Sequence, residues 1–441
     1  RNEYEKVMEE LRKENPDNMV ITKFIYETTK ALKTTMNNNN DNDCLILFQQ
    51  IRNLTTHNPI EGTCFNENEE FFDFIAEILK DKREMEEEID NEITLEILWI
   101  ITNYVSLNNV SPELIQSKGI TNILLELLDS YESLQKGIVV QLLWALCNIS
   151  GDDNPKYKTY LLKEGIISKI APILKLGVGE ELGVASWLLS NVIRGSELPG
   201  LAEIYPIAKI IPKLLKNSNM DIIRDILWVL NYTSTSEGFC KHLLKESPEV
   251  VDMLVTFLKY GQMELKIPAL RSIGNFASFE ISGFSDELIK LQFFNMPILQ
   301  QKIQDNVLRE LLWTYSNLFA ESKGACIQFL QNNSHVHILK NLSMENSKLL
   351  VEMNFMFVNI LVTFASDASL LKQYGLNEDM FDYFRTVLKK DYGKLNKDLL
   401  QMFQGLINDF KKHGNLKLFR DFINTHSIND TLANHPDLYY E

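Results

Sequence analysis

Seven short signatures recur along this chain at a nearly constant interval, and an interval of that size leaves few folds open. Each is an aromatic or cationic residue followed four positions later by an amide or a phenol. They are Trp99 and Asn103, Trp144 and Asn148, Trp187 and Asn191, Trp228 and Tyr232, Arg271 and Asn275, Trp313 and Asn317, and Phe355 and Asn359. The leading residues stand 45, 43, 41, 43, 42 and 42 positions apart, and all five tryptophans of the 441-residue chain are among them. Around the signatures apolar residues recur at helical spacing, as in Leu142-Leu143-Trp144-Ala145-Leu146-Cys147-Asn148-Ile149, whereas two-residue alternation is nearly absent. A helical chain with a repeat near 42 residues is a solenoid of stacked two- or three-helix units.

Between signatures lies a second amphipathic stretch opened by glycine. Gly119 precedes one at 120–128, and Gly165 precedes another at 166–174. A short helix, a glycine turn, a second helix and then the signature helix describe an armadillo unit; HEAT repeats usually lack the glycine-opened second helix. The expected fold class is therefore an all-α armadillo-repeat solenoid.

Sixty Asp+Glu against 44 Lys+Arg leave a net charge of −16, which disfavours general nucleic-acid binding and favours basic partners. No apolar run approaches the roughly 18–20 residues of a bilayer span, and the N-terminus lacks the apolar core of a signal peptide. Cys44, Cys64, Cys147, Cys240 and Cys326 are odd in number, far apart and without a CxxC pair. That usage fits free thiols in a reducing, intracellular compartment, with Cys147 packing as a small hydrophobe.

Positions i and i+4 share one helix face, so each aromatic and its amide point the same way. Stacked helices lie about 8–10 Å apart, and an extended peptide advances about 3.3–3.6 Å per residue. One repeat thus matches two to three peptide residues. A row of asparagine amides offers donors and acceptors to a peptide backbone without reading its side chains. Indole faces between them accept aliphatic stems and attract the cation beyond, at roughly 0.5–2 kcal/mol each. The ligand expected from these features is an extended basic peptide. A tryptophan at helical spacing also serves as core, and an asparagine as a bridge between turns. Seven repetitions with a polar partner on the same face count against that reading.

The residues resemble the importin-α nuclear-import adaptors from about residue 44 to 410. Trp144-Ala145-Leu146-Cys147-Asn148-Ile149-Ser150-Gly151-Asp152 is similar to that family's third repeat, and Trp187-Leu188-Leu189-Ser190-Asn191 to its fourth. In the fifth, the family replaces Asn by Tyr, as at Tyr232. In the sixth it replaces Trp by Arg, as in Pro268-Ala269-Leu270-Arg271-Ser272-Ile273-Gly274-Asn275. The resemblance implies a right-handed superhelix of about ten repeats, with the solenoid at 44–425 between an N-terminal helical segment, 1–43, and a tail, 426–441. It implies a concave groove for nuclear localisation signals of cargo proteins, no cofactor or metal, an importin-β partner, and shuttling between cytoplasm and nucleus. The larger site would comprise Trp99, Asn103, Gln141, Trp144, Asn148, Asp152, Trp187, Asn191, Asp225 and Trp228. The smaller would comprise Arg271, Asn275, Trp313, Asn317, Glu352, Phe355 and Asn359. Asp152 would anchor a lysine, and Glu352 a lysine or arginine.

Departures from the family accompany the match. Leu107 and Pro112 stand where a Gly and a Thr close the anchoring-lysine pocket, and Phe279 and Phe284 repeat that change in the sixth repeat. Residues 1–43 interleave Glu with Lys and end in Asn37-Asn38-Asn39-Asn40, unlike the family's dense basic importin-β-binding segment. The sequence starts at Arg1 rather than Met, so a basic segment upstream stays open. The rival reading is an importin-α-derived scaffold subunit of a larger assembly, without cargo transport.

Nothing reads as catalytic: there is no Walker loop, HExxH or nucleophile elbow. His335-Val336-His337 lacks the Cys or acidic partners of a metal set and reads as a helix or loop pair. The acidic run from Glu86 to Glu92 reads as a solvated connection with acids favouring a helix start. The Asn37–Asn40 tract reads as a disordered insertion.

Overall fold

In the computed structural model, which describes residues 2–11, 17–38, 40–57, 62–84, 91–107, 110–195, 198–279, 281–390 and 392–425, helices begin where the sequence supplies caps. Asn91 accepts the Thr94 N–H and opens Glu92–Ser106. Asn154, followed by Pro155, opens Pro155–Lys163. Ser236 and Ser322 open Glu237–Glu246 and Lys323–Gln331. Each cap satisfies an N–H that the first turn leaves unpaired. One full repeat reads Pro155–Lys163, then Gly165 at φ +75°, then Ile166–Leu176, then Gly179–Ile193. The left-handed turn at Gly165 explains the glycine, because a Cβ there is strained. Among the described residues there is no strand. The protein is an all-α armadillo solenoid.

The chain forms two compact units, residues 1–210 with 217–229 and residues 211–216 with 230–441. In the first, Asp41–His57, Glu92–Ser106, Lys136–Gly151 and Gly179–Ile193 stack in succession. In the second, Met263–Ala277, Asp305–Glu321, Ser347–Phe364 and Lys394–Lys412 do the same. Six of these eight carry signatures, and Glu92–Ser106, Lys136–Gly151, Gly179–Ile193 and Ser347–Phe364 are apolar nearly all round. Such helices are buried on nearly all sides. In Glu92–Ser106, Ile97, Leu98, Ile100, Ile101 and Tyr104 are fully buried while Trp99 and Asn103 are half-buried. The remaining stripe is the row of signature residues.

Two expectations change. Ser347–Phe364 is long and apolar enough to cross a bilayer, contrary to the expected lack of such a run, but its apolar window is 56% buried and the helix carries Glu352, Asn354 and Asn359. The Asn tract, expected to be disordered, is ordered at Asn37, Asn38 and Asn40: Asn37 ends the Asn18–Asn37 helix, Asn38 caps it, and Asn40 accepts the Asp43 N–H at the start of the next. In the second unit, two 3₁₀ turns, Phe293–Asn295 and Pro297–Gln300, follow Phe284–Lys290. Phe293 and Phe294 hold that stretch against Tyr315 at ring separations of 5.4 and 5.6 Å. Glu86–Asp90 and the expected tail from 426 lie outside the described residues.

Candidate functional site: a row of anchored amides and half-buried rings

Every asparagine of the signature donates from Nδ2 to the signature helix one repeat earlier. Asn148 reaches the Thr102 carbonyl at 3.0 Å and Asn191 the Cys147 carbonyl at 3.3 Å. Asn275 reaches the Asn231 carbonyl at 3.1 Å, Asn317 that of Gly274 at 3.1 Å, and Asn359 that of Ser316 at 2.9 Å. Asn103 instead donates to the Thr55 and Thr56 hydroxyls, at 2.9 and 3.1 Å. The amides therefore do bridge repeats, as the structural reading allowed. Bridging uses the N–H side alone, and among the described residues no protein donor reaches any of the six Oδ1 atoms. All are half-buried except Asn191, which is buried. An amide fixed at one end in this way presents its oxygen in a set orientation.

The rings differ between the units. In the first, Trp144 and Trp187 touch edge to face, with centroids 5.1 Å apart. Trp99 is covered from within, its face 4.3 Å from the Arg52 guanidinium, whose Nε is 2.6 Å from Glu96 Oε2. In the second, Trp313 lies on the Gly274 backbone, while Phe355 is 44% exposed, and the two make no ring contact with each other. Arg271 donates to Glu310 at 2.7 Å, and Arg309 lies 3.7 Å from the same carboxylate. The two expected residue sets fall one in each unit, Trp99 to Trp228 in the first and Arg271 to Asn359 in the second.

Acids line the row one turn before the rings. Glu96, Asp225, Glu310 and Glu352 each stand three residues ahead of their aromatic, and Gln141 holds the same place ahead of Trp144. Burial raises the carboxyl of Glu96, opposed by Arg52, and that of Glu352, opposed by Arg309. Burial lifts Asp225 to about 6, with Arg224 pulling the other way. Asp152 caps the turn after the Trp144 helix, accepting the Asn154 N–H at 2.8 Å. Trp228 and Tyr232 are half-buried, as is Gln141, whose Oε1 is buried with no hydrogen-bond partner among the described residues.

The raised Asp225 has a stability consequence. Its folded pKa lies above the ordinary aspartate value of 3.8, so the folded state favours the neutral form. The stability it allows is fully present below pH 3.8 and is lost as pH rises through about 6. Asp225→Asn is therefore expected to raise stability at pH 7 by about 1–3 kcal/mol, with no gain below pH 4. Urea unfolding at both pH values checks this; equal curves at pH 7 would refute it.

Of the altered pocket residues, Pro112 and Phe284 are buried in the fold, Phe284 against Phe276 at 5.7 Å, while Leu107 and Phe279 are half-buried. His335 is 2% exposed, with Nε2 3.4 Å from Asp379, at the start of the Ser334–Asn341 helix. The five cysteines are buried and unpaired with one another. Sequence reasoning missed Arg52, Glu96, Arg309 and Glu310. Arg52 stands 47 residues before Trp99 and four before Thr56, so it is an earlier member of the row. Its bond to the acid of the following helix repeats that of Arg271 to Glu310.

No family model matches the chain. Importin subunit alpha-1b of Oryza sativa subsp. japonica is 28% identical over 188 residues, 42% of this chain and 34% of that protein. Importin subunit alpha-9 of Arabidopsis thaliana is 25% identical over 242 residues, 53% of this chain and 46% of that protein. The chain thus spans between a third and a half of the length of these curated relatives. The crystal structure of an engineered protein superposes over 96% of this chain and 95% of its own, with a TM-score of 0.60 at 14% identity, a likeness of fold. The fold and the row define an armadillo-repeat protein. Together with these relatives, they make the chain a divergent importin-α-like member of that class.

Proposed function

We propose that this protein is a nuclear-import adaptor that takes extended, lysine- and arginine-rich localisation signals of cargo proteins along its row of amides and rings. The observation that carries the reading is the set of six asparagines, each anchored through Nδ2 and offering an oriented Oδ1 that no donor among the described residues reaches. A peptide N–H satisfies such an oxygen whatever the side chain beside it. Half-buried rings supply surfaces for aliphatic stems, and the acids one turn earlier supply the charge. The reading carries with it shuttling between cytoplasm and nucleus with an importin-β partner.

The scaffold reading keeps one observation in its favour. Arg52 on Trp99, and Trp144 against Trp187, fill ring faces of the first unit from within. Fluorescence anisotropy of a labelled lysine-rich peptide separates the two. Micromolar or tighter binding is expected, weakened at least tenfold by Asp152→Lys and by Trp144→Ala/Asn148→Ala. Absence of binding to the unmodified protein would leave the row as inherited architecture.

A further inference from the structure

The row does not stop where its aromatic and amide signatures stop. Lys394–Lys412 stacks on Ser347–Phe364 as the next signature helix. A step of 43 residues from Phe355, within the range of 41 to 45 seen between signatures, lands on Asp398, and four further on stands Met402 where the amide would be. Between the two helices lies an open cavity of about 380 Å³, lined by Val351, Asn354, Phe355, Leu395, Asp398 and Met402 together with Gln401. Its apolar wall combines the exposed Phe355 ring with the half-buried Met402 thioether and Val351. Asp398 is half-buried and meets no cation among the described residues. Two buried acids of the row, Glu96 and Glu310, already hold Arg52 and Arg271, whereas Glu352, half-buried beside Phe355, meets no cation within ion-pair distance among the described residues.

We propose that this cavity is a further slot for one lysine or arginine side chain, extending the peptide row by one repeat past Phe355. The proposal rests on the peptide-binding reading above. The stem would lie between Phe355 and Met402, and the cation would meet Asp398. A cation is the occupant that fits, because a neutral apolar side chain would fill the wall but desolvate an unpaired carboxylate, which is unfavourable. The protein's net charge of −16 works in the same direction. The slot needs no amide at position 402, since a terminal side chain, rather than peptide backbone, is what it receives.

Helix spacing against peptide rise places the extra residue two to three positions beyond the last one held at Phe355. The test uses the whole chain and three peptides: a lysine-rich core, and the same core extended by three residues ending in lysine at its N-terminus or at its C-terminus. One of the two extensions is expected to bind about 3- to 10-fold tighter than the core. Asp398→Asn should abolish that gain while leaving core affinity unchanged, and Asp398→Lys should make the extended peptide the weaker binder. Core binding with no gain from either extension, or a gain that survives Asp398→Asn, would overturn the slot and leave the row standing. Failure of the unmodified protein to bind any of the three would overturn both readings. Far-ultraviolet circular dichroism of each variant separates lost binding from lost folding.

Discussion

Gly274→Ala is expected to destabilise the second unit by about 1–3 kcal/mol, although alanine is the better helix former. Two effects oppose each other. In a helix interior, replacing glycine by alanine gains about 1 kcal/mol of propensity. Against that, a Cβ at 274 would lie 2.2, 2.7 and 2.9 Å from three carbons of the Trp313 ring, which no flexible side-chain end can yield. The indole must leave its seat, and the Asn317 bond to the Gly274 carbonyl runs through the same contact. Packing wins because three ring carbons would sit well inside van der Waals contact of the new Cβ, so the half-buried indole must give up part of its contact with the neighbouring helix. Denaturant unfolding measures the loss, and peptide affinity should fall with it. A variant more stable than the parent would show that Trp313 is loosely held and that the second unit's row is not set by this contact.

Arg52→Ala is expected to act in two opposite directions: a fold weakened by about 1–3 kcal/mol and a peptide affinity raised about 3- to 10-fold. The guanidinium occupies the Trp99 face and neutralises Glu96, whose side chain is 9% exposed. Its removal strands that carboxyl, and the cost stays moderate because burial already favours the protonated form. The vacated ring face and the acid together are what a peptide lysine needs. A weakened fold with unchanged affinity would exclude Trp99 from the binding row, and equal losses of both would mark Arg52 as a structural bridge alone.

The fold was legible because it repeats. Helical spacing, the glycine turns at Gly119 and Gly165, and the Trp-to-Asn step each recur, so a weak local signal gains weight with every copy. The signature residues were legible as one face for the same reason. What stayed hidden depends on contacts between repeats, which spacing does not encode. The Trp144 ring against Trp187 and Arg52 lying over Trp99 are of this kind. Arg52 and Thr56 also lack the aromatic and amide that flag the other members, and Asp398 and Met402 lack both. The Asn tract misled because low complexity is read as disorder, whereas Asn38 and Asn40 are ordinary caps.

All five tryptophans belong to the row, so the protein's own indole emission reports on the proposed binding surface without a label. The most direct test is a titration of unlabelled lysine-rich peptide read by tryptophan fluorescence, beside an acidic peptide of equal length. The expected result is a saturable change in emission with the basic peptide, at the affinity given by anisotropy, and none with the acidic one. Binding of the basic peptide that leaves every indole undisturbed, or no binding, would contradict a peptide-binding row.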